Sequence, residues 1–273
     1  MQTQTRTHFT TVKTEGGILP ADLLQRVAEG RGLDGLTPEA YHLFAGERLN
    51  EAINRSWNRC LGAWRSFAAQ REALPASDRG TTLTRERWLL ILFQELGYGR
   101  LQYAGGGLPL DPADAGALTY PISHRWEAVP IHLVSFRDDL DRRGAERRSP
   151  HSLVQEYLNR AEGALWGFLS NGLRLRILRD NASLTRAAYA EFDLEAMMAG
   201  ELYADFSLLW LVCHQSRVEG SAKTCWLERW SQAAAEQGVR ALDALRDGVQ
   251  EAIEALGRGF LAHPANAALR KAL

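Results

Sequence analysis

The chain has 273 residues, 45% of them apolar, enough for one large domain or two smaller ones around a real core. A formal net charge of −1 gives no bulk attraction to nucleic acid or membrane, so any binding surface must be local. No run of about 18 apolar residues occurs, and the N-terminal MQTQTRTHFTTVKTEGG lacks an apolar signal core, so neither membrane insertion nor secretion is supported. Cys60, Cys213 and Cys225 fit neither a zinc pattern nor a disulfide framework, and the expected compartment is the cytoplasm. Of the 32 basic residues only Lys13, Lys223 and Lys271 are lysines, an imbalance that bears on catalysis below.

The first third reads as helical. Thr37 and Pro38 form an N-cap and N1 pair, and from Glu47 to Leu74 apolar residues recur at Leu49, Ile53, Trp57, Cys60, Leu61, Trp64 and Phe67. The breaker cluster PASDRGTT, 75–82, is the first boundary. Thr84 then caps a helix through RERWLLILFQELG that Gly97 ends. YGRLQY is predicted as a strand, AGGGLPLDPADAG as a loop, ALTYPIS and PIHLVSF as strands, and RDDLDRRGAERR as a charged loop. Ser149 and Pro150 open a further helix, HSLVQEYLNRAE.

Two apolar runs joined by Asn171-Gly172 predict a type I′ hairpin, and AAYAEFD adds a strand. The remainder is helical, ending in a long amphipathic tract from Cys225 to Phe260. Trp57, Trp64, Trp226 and Trp230 are expected to staple the helical flanks, a partner-binding surface being the second reading. The predicted organisation is an N-terminal helical segment, 1–80, an α/β core, 81–200, and a C-terminal helical segment, 201–273.

In this core the order helix, strands, helix, strand is that of a restriction-endonuclease-like (PD-(D/E)XK-type) mixed sheet. The stretches LTRERWLLILFQELGYGRL, YPISHRWEAVPIHLVSF, SPHSLVQEYLNR, LWGFLSNGLRLRILRDN, YAEFDLEAMMAGELYADFSLLWLVCHQS and EAIEALGRGFLAHPAN carry a resemblance. The chain resembles the N-terminal region of type IIG-like restriction-modification and phage-defence DNA adenine methylases, as in DISARM or BREX systems. The resemblance implies DNA, a methyltransferase domain or defence-system subunits as partners. S-adenosylmethionine would belong to a downstream domain, because neither an Asn-Pro-Pro-aromatic loop nor a convincing glycine motif is present here.

Nucleases of the resembled fold hold Mg²⁺ with an Asp on one strand and an Asp or Glu two residues before a Lys on the next, often with a helix Glu. Carried onto this chain, the helix carboxylate would be Glu95 and the first strand ligand Asp111 or Asp114. The Glu and Lys positions fall on His132 and Val134. Valine holds no charge, neutral imidazole suits Mg²⁺ poorly, and no lysine is near, so the expectation is a degenerate nuclease that binds no cofactor. The alternative is an active Mg²⁺-dependent endonuclease in which Glu95, Asp138, Asp139 and His132 are catalytic, with Arg137 or Arg142 replacing lysine. A pure protein-interaction scaffold is the third reading.

His124 and His132, eight residues apart, could share a metal or a proton, the plainer reading being two core histidines. Arg174 and Arg176 alternate with Leu173, Leu175 and Ile177, which predicts one arginine-bearing strand face, with Arg179 just after. Together with Arg142, Arg143, Arg147 and Arg148 they are the candidate DNA contacts, sequence-independent and sensitive to salt.

Overall fold

The computed structural model describes residues 9–114, 116–143, 148–180, 188–266 and 271, and the chain divides into two compact units after Ser231. The first unit opens with a strand, β1 (Val12–Glu15), then α1 (Ala21–Glu29) and the long α2 (Leu49–Ala73). On α2 the predicted spacing holds, with Ile53, Trp57, Cys60, Trp64 and Phe67 all buried. Thr37 and Pro38 start only a single turn, Glu39–Tyr41.

The next helical run combines α3 (Thr81–Thr84), a wide π turn over Arg85–Leu89, α4 (Leu90–Phe93) and a second π turn over Gln94–Tyr98, where Gly97 has φ +88°. Trp64 of α2 packs edge-on against Trp88 of this run at 5.4 Å.

Seven strands form one mixed sheet among the described residues: β1, β9 (Tyr189–Asp193), β8 (Arg174–Arg179), β7 (Trp166–Ser170), β6 (Val129–Leu133), β5 (His124–Trp126) and β2 (Gln102–Tyr103), in that spatial order. The pair β6 and β7 is parallel and the rest are antiparallel. A parallel pair needs a crossover, here supplied by α5 (Pro150–Leu158), which starts at Ser149-Pro150 as predicted and whose N-cap Ser149 Oγ accepts from Ser152 N at 3.2 Å. Two short strands, β3 (Leu108–Pro109) and β4 (Thr119–Tyr120), pair by themselves.

Both faces of the sheet are covered, which explains the unbroken apolar runs of β6 and β7. On one face Phe168 meets Phe93 and Tyr98, each at 5.7 Å. On the other, Leu169 and Leu178 pack with Leu153, Val154 and Leu158 of α5. α6 (Leu194–Ala199), α7 (Tyr203–Cys213) and α8 (Trp226–Ala262) follow, and the second unit contains the distal part of α8.

Several features differ from the sequence-based expectation. Thr84 does not cap its helix, which begins at Thr81; its Oγ1 donates to Gly80 O from within the run. The N-terminal segment is not purely helical, because β1 pairs with β9 through Val12 and Phe192 and so belongs to the sheet. The hairpin at Asn171-Gly172 is not type I′, which needs positive φ at both residues. Only Gly172 has it, at +82°, while Asn171 Oδ1 accepts from the N–H groups of Leu173 and Arg174. A Cβ at Gly172 would stand 2.6 Å from Thr84 Cγ2, and its carbonyl accepts from Trp88 Nε1, so the glycine lets α3 approach the sheet. Finally, the candidate strand ALTYPIS contributes no strand to the main sheet: Thr119–Tyr120 pairs with β3, and β5 begins only after it, at His124, and turns into β6 at Glu127, which has φ +49°.

The predicted arginine face of β8 also behaves differently. Arg176 is 2% exposed, because its strand face is the one covered by α5 and by the loop after β6. Its Nη1 and Nη2 donate to Asp141 at 2.6 and 2.8 Å, its Nε to Glu191 at 2.5 Å, and its guanidinium lies 4.4 Å from the Tyr189 ring. Burial disfavours this charge, but the two carboxylates more than offset that and raise its pKa.

Removing Arg176 leaves buried Glu191 with the exposed Arg174, 3.9 Å away, as its remaining ion pair among the described residues. Arg176→Ala is therefore expected to lose about 3–5 kcal/mol in urea denaturation. The double replacement Arg176→Met with Glu191→Leu is expected to lose less than the single one; equal or greater loss would show that the pair is not the source of the effect.

Candidate nucleic-acid interface

A row of paired positions crosses the sheet on the α5 face: Lys13, Glu191, Arg176, Leu169 and His132 stand opposite one another on β1, β9, β8, β7 and β6. Ser123 continues the row, its N–H donating to His132 Nδ1 at 3.3 Å. The acceptor role of Nδ1 places the imidazole proton on Nε2. Ser123 Oγ in turn accepts from Leu133 N at 2.8 Å and contacts His124 Nδ1 at 2.9 Å.

His124 stands opposite Ile131, one position out of phase with His132, so the two imidazoles leave the sheet on opposite faces and line different cavities. They do not form a shared metal or proton site.

Between the cavities stands Arg85. The π turn that begins at this residue carries its side chain to the end of β6, where Nε donates to Leu133 O at 2.8 Å. The loop after β6 is tied at several points: Phe136 N donates to Thr84 Oγ1, Ser135 N to Asp138 Oδ2 and Asn171 Nδ2 to Asp138 O.

On the His132 side the result is a cavity of about 420 Å³ whose described lining includes Arg79, Arg85, Arg137, Arg142, Arg143 and Arg148. Two carboxylates face the same space, Asp138 near Arg79 at 3.6 Å and Asp139 near Arg142 at 3.4 Å. Among the described residues, six guanidinium groups against two carboxylates give a local charge of +4, or +3 when Glu156, which pairs with Arg148 at 2.9 Å, is included. The larger cavity beyond Arg85, about 860 Å³, is mixed, with Glu86, Arg100, Gln94, exposed Tyr103 and His124 in its wall.

The candidate residues divide accordingly. Arg142, Arg143 and Arg148 line the cationic cavity together with Asp138, Asp139 and His132, whereas Arg147 lies outside the described residues. Arg174 is exposed, 3.9 Å from Glu191. Arg176 is committed to Asp141 and Glu191, and Arg179 to Glu228 through Nε at 2.8 Å and Nη2 at 2.6 Å, so their hydrogen-bond donors serve the fold.

Glu95 does not join Asp138 and Asp139. It lines a separate cavity with Trp210 and His214, and Arg59 donates to its carboxylate at 3.1 Å. Asp111 and Asp114 accept from backbone N–H groups two residues on, shaping their own exposed loop.

At the Glu and Lys positions that the resemblance implies stand His132 and Val134, with Ser123 and Arg85 beside them, while Asp111 and Asp114, the implied first ligands, lie in their own loop. One hydroxyl, one neutral ring and an adjacent fixed cation do not suit Mg²⁺. Among the described residues no group of three His, Cys, Asp or Glu side chains is arranged to hold a metal ion. What the arrangement does suit is a phosphate or another oxyanion, since guanidinium groups give charge-assisted, paired hydrogen bonds to such groups. Sequence reading missed Arg79 and Arg85, which lie in a breaker stretch and at a helix start; only the near-absence of lysine hinted that arginines carry the chemistry.

Burial, followed by the charge of Arg85, pushes the pKa values of both His124 and His132 down to about 4. In the unfolded chain each titrates near 6.5. Between pH 6.5 and 4 the unfolded state binds protons that the folded state refuses, so stability falls as pH falls, by about 1.4 kcal/mol per pH unit for each histidine. An NMR titration is expected to leave His132 neutral above pH 5, and His132→Gln to flatten the acid limb of stability; a midpoint near 6.5 for His132 would contradict its buried environment.

Comparison of the chain with protein-family models, with curated proteins and with solved structures found no match in any of the three.

Proposed function

We propose that this chain is a nuclease-like module that holds the phosphate backbone of DNA without cleaving it, as the N-terminal part of a restriction-modification or phage-defence adenine methylase would. The observation that carries the proposal is the cavity charge of +3 to +4 in a chain whose net charge is −1. Charge concentrated this way, on a loop fixed to a rigid sheet, favours a polyanion over a neutral ligand.

The fold supports the nuclease-like part. The helical run 81–98, then β2, β5 and β6 as antiparallel neighbours, then α5 and a parallel β7, has the helix, three strands, helix, strand order of a restriction-endonuclease-like core. The cavity opens beside β6, where such a core would carry its chemistry. At the implied Glu and Lys positions, His132 and Val134 with Arg85 beside them favour grip on a phosphate over a hydrolytic metal. Contacts of this kind read the backbone and not the bases, so binding is expected to be independent of sequence.

Gel retardation of duplex DNA by purified protein across a salt series tests this. Net neutralisation of about three phosphates predicts a slope near −3 in log affinity against log salt, with no strand cleavage in Mg²⁺ or Mn²⁺. Arg142→Ala with Arg143→Ala is expected to weaken binding on every sequence alike and to flatten the slope by about one to two. Absence of retardation at low salt, or retardation unaffected by this pair, removes the DNA reading. Metal-dependent nicking abolished by Asp138→Ala with Asp139→Ala would establish an endonuclease instead.

A further inference from the structure

The distal part of α8 carries a stripe of seven large apolar side chains from Val239 to Phe260 that are 50% to 75% exposed. Lone exposed apolar residues need no explanation, but a stripe of this length on one helix face exceeds what a monomer usually shows. Val249 is its centre. Four residues to either side stand Leu245 and Ile253, seven to either side Leu242 and Leu256, and ten before and eleven after Val239 and Phe260. Steps of four, seven and eleven return to the same face of a helix with 3.6 residues per turn.

The stripe therefore reads nearly the same in both directions, which is the property a surface needs in order to pair with itself about a two-fold axis. We infer that α8 mediates homodimerisation: two copies of this chain pair antiparallel through this stripe, with Val249 on the axis. Leu245 then packs on Ile253 of the second copy, and Leu242 on Leu256.

Three further observations fit that occupant. The seven side chains supply on the order of 600 Å² of apolar surface per copy, and a standard interface uses about 800 Å² per partner, so the flanks need add little. On one flank Ala241, Gly248, Ala252 and Ala255 leave the helices free to approach closely. On the other, the contacts of Arg246 among the described residues are long ones within its own helix, 3.4 Å to Asp243 and to Asp247. An antiparallel copy brings Glu254 to within about two residues' rise of Arg246, roughly 3 Å along the axis, giving two symmetric ion pairs. A foreign helix would require none of this mirror symmetry. The inference stands independently of the DNA reading.

Sedimentation equilibrium of the full chain is expected to give twice the monomer mass of 30.4 kDa. Leu245→Glu with Ile253→Glu should return it to monomer. All eight tryptophans lie at or before Trp230, so their unchanged fluorescence would show that the first unit remains folded. Orientation is read by oxidation: Val249→Cys should cross-link to itself, whereas Leu242→Cys should not, its two copies lying about 20 Å apart in the antiparallel pair. A monomer at every concentration up to about 100 µM overturns the proposal, that range covering ordinary weak dimers. So does a dimer that survives the double glutamate variant, or one that cross-links through Leu242→Cys.

Discussion

Arg176 is the constraint on which the rest of the molecule depends. A guanidinium in the middle of a sheet face is unfavourable unless every donor finds a partner, and its partners come from three places. Glu191 is supplied by the neighbouring strand, His151 by α5, with Nδ1 at 3.2 Å, and Asp141 by the loop after β6. A charge that cannot be left unpaired thus fixes strand, helix and loop together. The same loop presents Asp138, Asp139, Arg142 and Arg143 to the cationic cavity, so the geometry of the cavity inherits the buried ion pair. Asp141 shows the same coupling from its side: the hydrogen bonds from Arg176 hold its carboxyl below the usual range.

Arginine serves two purposes in this chain, and they separate by burial. Arg176, Arg179 and Arg217 are structural. Arg217 is wholly buried over the Tyr41 ring at 3.8 Å and donates to the carbonyls of Gly35 and Ala40, pinning the segment between α1 and α2. Arg79, Arg137, Arg142 and Arg143 are exposed around the cavity, and Arg85 stands between the groups, half-buried and reaching both cavities. Lysine would not replace the buried ones, because their planar fork meets two or three acceptors at once.

Much of the fold was legible in the amino-acid sequence where local chemistry dictates local structure. The spacing on α2, the Ser149-Pro150 helix start and the runs of β7 and β8 all appear as read. What local pattern could not show was long-range pairing. The short polar VKTE becomes a strand only because β9 offers it an edge, and Asn171-Gly172 abandons the expected turn because Trp88 and Thr84 press on it from α3 and the π turn. The candidate site divides for the same reason. Strand alternation correctly put Arg174 and Arg176 on one face, but only the covering loop and α5 decide that this face is interior at Arg176. Glu95 and Asp138 are 43 positions apart, and nothing in either stretch says that they line different cavities.

The sheet edges carry one more consequence. An open edge invites a strand from another molecule, since its free N–H and C=O groups form a template for further pairing. Here one edge strand, β2, is two residues long, and the other, β1, has four residues bearing the ion pair of Lys13 and Glu15 at 2.9 Å. Neither offers a long flat apolar ladder. Growth of the sheet by strand addition is thereby discouraged, and with it runaway polymerisation in a crowded cell.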